Sequence, residues 1–210
     1  LVSVQSDCPA REKFGYGGDL NATSEAFIYN FDMQSFYRKT IYDWVDAMKD
    51  SSFVDTAPFT GIEYCGISWE SAYMTTQYYL YLYYNDTDII EELYDLNTKW
   101  MAKAAMIHPE GIVDDGLSDH ESLEPVPVQL TGTSHYLQCA RIMKTFAGVM
   151  GNDADVKKYA ALADKLKGQI RAEFWDKPVM GKINRQTLFS TLLYHEIVPS
   201  NEIPAARDSL

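Results

Sequence analysis

The 210 residues are enough for one large domain or two small ones. With 18 Lys and Arg against 30 Asp and Glu, the net charge of −12 argues against a nucleic-acid partner, because phosphate binding needs a surplus of cations. Apolar residues at 46% exclude disorder, and no apolar run reaches the roughly 20 residues that cross a bilayer, so no membrane partner is expected. Cys8, Cys65 and Cys139 are far apart and odd in number, which suits free or buried thiols. His108, His120, His135 and His195 show no metal-ligand spacing, so no metal site is expected. The chain opens on Leu1 and stops at Ser209-Leu210 inside a helical pattern, and it reads as one domain over 1–210, truncated at both ends.

Helical periodicity dominates. Phe27, Phe31, Tyr37, Ile41, Trp44, Val45 and Met48 predict a helix from Asn21 to Met48. A second is predicted over Glu70 to Tyr84, and a third starts after Asn85-Asp86 with Ile89, Leu93, Leu96, Trp100 and Ala104 on one stripe. A fourth runs from about Thr133 to Met150. The fifth is the clearest, with Val156, Tyr159, Ala163, Leu166, Ile170 and Phe174 opposite the charges. A sixth covers Arg185 to His195, and no comparable stretch alternates as a strand would. The turn N-D-x-D-[IV] occurs at Asn85–Ile89 and again 67 residues later at Asn152–Val156. The connections from about Lys49 to Ser68 and from Pro109 to Gly132 are long and rich in Gly, Pro, Asp and Ser. Short turns at one end and long loops at the other describe stacked helical hairpins, with the long loops as the place for a site.

Three clusters carry candidate chemistry. The segment Asp7 to Asp19 packs two Asp, Glu12, Arg11, Lys13 and three Gly immediately before a helix. Such carboxylates suit a polyhydroxylated ligand, and a buried one would have the raised pKa of a general acid. The same residues would also serve as a solvated glycine-rich loop with capping acids. The run Asp114 to Glu121 reads either as a charged loop in water or as a calcium loop, although its spacing is not that of an EF-hand. Gly66-Ile67-Ser68-Trp69-Glu70 places an aromatic ring and a carboxylate at a loop–helix junction, as a sugar-stacking platform or as core.

The first cluster resembles the D-C-P-x-R-E-[KR]-x-G-W-x-G-D signature of the bacterial α-L-rhamnosidases, inverting six-hairpin glycosidases. Further likeness follows in the same order along the chain. Gly66 to Glu70 resembles the G-W-[GS]-[DE]-A segment, Asn85-Asp86-Thr87 the Y-G-D-T turn, and Gly116 to His120 the G-L-G-D-W loop. Thr133-Ser134, the Gly151-Asn152-Asp153 turn, Tyr159 to Trp175 and Gln186-Thr187 through Val198-Pro199 continue it.

That resemblance implies an all-α fold, a partial (α/α)6 toroid, in an enzyme that removes terminal α-L-rhamnosyl residues by single-step inverting hydrolysis without a cofactor. Its partners would be rhamnose-containing oligosaccharides, polysaccharides or glycosides. Position by position, Glu12 matches the general acid. Asp7, Arg11 and Asp19 match residues that hold hydroxyls or tune the acid, and Trp69 and Glu70 fall in the sugar pocket. Tyr16 stands where Trp is usual, and His120 replaces the Trp of the loop that also carries Asp119. An inverting enzyme needs a second carboxylate as base, and the family's base segment is not found in these residues, which places the base outside the chain. The alternatives are a non-catalytic carbohydrate-binding protein and another six-hairpin hydrolase or lyase. Compartment and oligomeric state are not indicated.

Overall fold

The computed structural model describes residues 3–6, 8–50, 52–62, 65–177, 179 and 181–210. Over these the chain is helical, with only isolated bridges at Tyr16–Thr56 and Lys49–Ser52 in place of strands. The elements are α1 (Gly17–Asn30), α2 (Gln34–Ala47), α3 (Ile67–Glu70), α4 (Ala72–Tyr84), α5 (Asp88–Ile107), α6 (Val128–Val149), α7 (Asp153–Phe174), α8 (Arg185–Tyr194) and α9 (Ile203–Asp208). No helix among them is long and apolar enough to cross a membrane. Cys65 and Cys139 are free thiols, the second of them buried, and Arg11 donates to Cys8 Sγ at 3.3 Å.

Two rows of helices are stacked. Helices α1, α4, α6 and α8 follow one another as neighbours, with the single turn of α3 wedged against α1 and α6. Behind them α2 and α5 pack on α4, α7 packs on α6, and α9 packs on α8. Helix α4 is buried over almost its whole length, from Ala72 through Gln77 and again at Tyr79 and Leu80. That is the position of a helix covered on both sides. Helix α7 buries only the stripe Tyr159, Ala163, Leu166, Ile170 and Phe174 against α6 and keeps its charges in water. The result is an arc of helical hairpins, α1–α2, α4–α5, α6–α7 and α8–α9.

The expected helix from Asn21 to Met48 is two helices. Its stripe is interrupted because Phe31 is extended, the Asp32 carboxylate accepts from the Gln34 N–H at 3.3 Å, and the Met33 N–H donates to the Tyr84 hydroxyl at 2.8 Å. Side chain and tertiary partner together cap a new start, which a count of apolar spacings does not register. The short α3 also lies outside the periodic pattern.

The two N-D-x-D turns are related, with a shift of one residue. Asn85 closes α4 in the left-handed conformation at φ 54°, and Asp86 then accepts from the Ile89 N–H at 3.3 Å. In the second turn Gly151 takes the left-handed position at φ 67°, and Asn152 accepts from the Asp155 N–H at 3.1 Å. Asp86 is buried and meets Arg38 at 2.6 Å, which ties α2 to the first turn.

The loop before α3 is anchored in the core by one ring. Phe53 is fully buried, lies 3.9 Å from the Tyr73 centroid, and meets Trp44 and Trp100 at 6.3 and 6.2 Å. It therefore joins α2, α4 and α5 from outside all three. Phe53→Ala is expected to cost about 3–5 kcal/mol, read as a lower denaturation midpoint with an unchanged slope. A loss below about 1 kcal/mol would show that the loop is not anchored there.

Candidate active site

Helices α1, α4, α6 and α8 and the short α3 open on one cleft of about 740 Å³, and residues 118–120 close its side. This is within the size range of ligand pockets and exceeds what one sugar ring fills. Asp19, Trp69, Asp119 and His120 line it together. A second cleft of about 790 Å³ lies beside the last turn of α7, where Lys177 and Glu173 pair with each other at 3.3 Å. It gathers none of the candidate residues.

Two glycines bring the long loops together. Gly66 and Gly116 have φ near 100° and 92°, and a Cβ on either would fall 2.6–2.8 Å from the other's Cα. Backbone touches backbone, and the Leu117 N–H donates to the Cys65 carbonyl at 2.7 Å. The second loop is then held by Thr131 donating to Ser118 at 3.2 Å and Thr187 donating to the Asp119 carboxylate at 2.5 Å. Trp69 is seated from the other side. Its indole lies against Gly18, where a Cβ would come within 2.7 Å of the ring, and His120 stands edge-on at 6.4 Å. A bare backbone at Gly18 is what lets the ring lie flat.

The Asp7–Asp19 segment is less gathered than its spacing suggests. Asp7 lies outside the described residues. The Arg11 and Lys13 N–H groups both donate to the Cys8 carbonyl at 3.1 Å, which forms a tight turn with Lys13 at φ 65°. Arg11 is exposed and meets Glu12 at 3.5 Å. Tyr16 sits at the start of α1, half-buried against Phe14, beside a small recess lined by Gln5, Thr40 and Trp44. Asp19, in the first helical turn where the dipole favours a carboxylate, is the member that lines the cleft. Arg11, Glu12 and Tyr16 are not on its wall.

Glu70 departs from its expected place in the sugar pocket. Neighbours on a helix point about 100° apart, so with Trp69 in the cleft Glu70 turns inward. It is buried there and accepts from the Trp100 indole N–H at 2.7 Å. Burial pushes its carboxyl up to about 7, with Trp100 opposing and Asp55 adding to the rise. Asp55, fully buried, is raised in the same direction by burial.

Several lining residues escape a reading tuned to apolar stripes. Asn21 donates to Ser71 Oγ and to the Ser68 carbonyl, each at 2.8 Å, and Ser71 Oγ lies 3.1 Å from His135 Nδ1. This chain ties α1, α3, α4 and α6 across the cleft floor. Burial lowers His135 to about 4, and His195 to about 3 with help from His135 and Arg141. Thr131, His135 and Gln138 on α6, and Thr187, Thr191, Tyr194 and His195 on or next to α8, form polar stripes at helical spacing. That second periodicity is the signal the sequence carries for them.

Of the acidic run, Asp114 and Asp115 gather with buried His108, their ligand atoms within 4.8 Å of one another, while Asp119 turns to the cleft. Three protein atoms fall short of calcium's six to eight oxygens.

The family described as the bacterial α-L-rhamnosidase six-hairpin glycosidase domain matches residues 1–210. The chain belongs to that family. An α-L-rhamnosidase of Formosa agariphila is 29% identical over 198 residues, covering 81% of this chain and 20% of the relative. One of Streptomyces avermitilis is 26% identical over 216 residues, covering all of this chain and 21% of the relative. The solved α-L-rhamnosidase of Dictyoglumus thermophilum superposes with a TM-score of 0.85 at 31% identity, over 96% of this chain and 24% of that one. The Streptomyces avermitilis structure in complex with L-rhamnose gives 0.87 at 24% identity, over 100% and 21%, a likeness of fold. The chain thus spans about a fifth of the curated relatives' length, and its arc of hairpins is part of a six-hairpin toroid.

Gly18→Ala should displace the indole and weaken the binding of any ligand seated in this cleft by about tenfold or more, read by titration calorimetry; unchanged affinity would remove Trp69 from its wall. A second expectation concerns pH. Folded Glu70 keeps a proton that the unfolded chain releases, so its contribution is fully present below about pH 4 and is lost as pH rises toward about 7. Glu70→Gln should flatten the loss of melting temperature between those limits and leave the variant more stable than the parent at about pH 8. An equal or steeper loss would contradict the buried, protonated carboxyl.

Proposed function

We propose that the protein of which this chain is part is a glycosidase that removes terminal α-L-rhamnosyl residues by inverting hydrolysis, with Glu12 as general acid. The observation that carries this reading is the convergence of Asp19, Trp69, Asp119 and His120 on one cleft at the loop end of the hairpins, in a chain matched over its full length by the family. Trp69 and His120 offer an aromatic corner for the apolar face of a sugar ring, and Asp19 and Asp119 offer acceptors for its hydroxyls. Glu12 belongs to the segment that runs directly into α1, seven positions ahead of Asp19. Arg11 lies 3.5 Å from its carboxyl group, a partner able to orient it toward an arriving glycosidic oxygen. Asp7 and Arg11 complete the proposed set as hydroxyl-binding or acid-tuning groups, and Tyr16 takes the sequence position where Trp is usual. The second carboxylate is not assigned to this chain: Glu70 faces Trp100, and Asp119 accepts from Thr187.

In the full-length protein, Glu12→Gln is expected to lower kcat on rhamnosides with poor leaving groups by about 10²–10⁴-fold. An activated aryl rhamnoside, which needs little protonation, should lose much less. Near-native turnover on both would overturn the assignment of the acid, and no rhamnose release from any rhamnoside by the unmodified protein would overturn the activity.

A further inference from the structure

The cleft floor holds a hydrogen-bond donor whose orientation is set from behind. Asn21 Nδ2 lies 2.8 Å from the Ser68 carbonyl, which can only accept, so the NH2 end of the amide faces it. The same NH2 group donates to Ser71 Oγ at 2.8 Å, and buried Ser71 is left with one hydrogen to place. The Ser68 carbonyl is 3.4 Å away, beyond the usual hydroxyl range, and already accepts from Asn21. His135 Nδ1, at 3.1 Å, is the nearer acceptor. Ser71 therefore donates to Nδ1, and the imidazole carries its proton on Nε2. Burial lowers His135 to about 4, which keeps the ring neutral near pH 7. His195 packs its ring 6.2 Å away and is lowered to about 3, so the pair is uncharged.

Nε2 opens on the cleft. His135 is half-buried and lines it. Among the described residues its one hydrogen bond is that to Ser71, and Nε2 is not one of the buried atoms without a partner. The donor is accessible rather than enclosed. It also stands next to the aromatic wall. The Trp69 indole lies against Gly18, and Asn21 is the next rung of α1, about 4.5 Å further along the helix axis. A sugar resting one face on Trp69 presents its ring hydroxyls edgeways over that distance. Each hydroxyl both donates and accepts, and a neutral imidazole N–H supplies the donor.

We propose that His135 is a ligand-contacting residue of this cleft: its Nε2–H donates to one ring hydroxyl of the sugar held at Trp69, and Ser71, backed by Asn21, is the positioning residue that keeps the proton on Nε2. The identity of the sugar rests on the rhamnosidase reading; the contact rests on the residues of the floor.

The test is calorimetry on the full-length protein with L-rhamnose and its 2-, 3- and 4-deoxy analogues, each lacking one ring hydroxyl. In the unmodified protein, loss of the hydroxyl that meets His135 should weaken binding by about three- to tenfold. In His135→Phe, L-rhamnose should bind more weakly by the same factor, and that one analogue should bind as well as L-rhamnose, because both deletions remove one bond. Ser71→Ala, which leaves Nδ1 without a donor, should shrink the same penalty and no other. No penalty in the unmodified protein, or penalties that all persist in His135→Phe, would overturn the proposal. If His135→Phe does not fold, Ser71→Ala decides alone, and an unchanged set of penalties overturns the proposal. Cleavage of an aryl rhamnoside by the unmodified protein reports separately on the activity: with cleavage and unchanged penalties only the contact fails, and with neither cleavage nor rhamnose binding both readings fail.

Discussion

Gly66 and Gly116 touch backbone to backbone, and the working end of the molecule follows from that contact. Each glycine closes one long loop immediately ahead of the residues that line the cleft. With no side chain between them, the Cys65 carbonyl reaches the Leu117 N–H, and the chain carrying Trp69 comes to lie beside the chain carrying Asp119 and His120. Any Cβ there would wedge the two apart by more than a hydrogen bond can stretch. The paired helices provide the platform, and the glycine contact sets where the loops stand on it.

The same wall separates two electrical environments. In front, the cleft gathers acceptors and neutral donors around space for a ligand. Behind, Glu70 and Asp55 are enclosed among Trp100, Phe53 and the loop backbone, where burial favours their protonated forms. One helical turn, α3, presents Trp69 to the first and Glu70 to the second. The cleft-facing ring and the buried core acid are therefore adjacent along the backbone, and a change in the charge of Glu70 acts on the element that aims Trp69.

The outer helices were largely legible in the sequence because their signal is local. Helix α7 shows its stripe as Tyr159, Ala163, Leu166, Ile170 and Phe174, and water on the other face keeps the contrast sharp. Helix α4 carries little contrast, being covered on both sides, and the break at Phe31–Met33 depends on Tyr84, far along the chain. The site was legible in part. Asp19, Trp69, Asp119 and His120 sit in short motifs whose glycines mark close approach. His135 sits inside α6 among apolar residues, where a lone histidine looks like core until Ser71 and Asn21 are brought up to it. Glu70 turns to Trp100 because neighbours on a helix point about 100° apart, which a match to a sugar-pocket segment does not register.

The turns at the opposite end have little slack. Asn85 and Gly151 each reverse the chain with one left-handed residue, and Asp86 and Asn152 start the next helix at once, the first of them also holding Arg38. Length cannot be added there without parting α2 from α4 or α6 from α7. The long loops are held at separate points instead: Phe53 in the core, Asp55 and Ala57 bonded to Gly17 and Gly15, the Gly66–Gly116 contact, and Ser122 and Pro125 bonded to Asn184. Tolerance of added length is thereby confined to one end of the molecule, in the stretches of loop between those anchors.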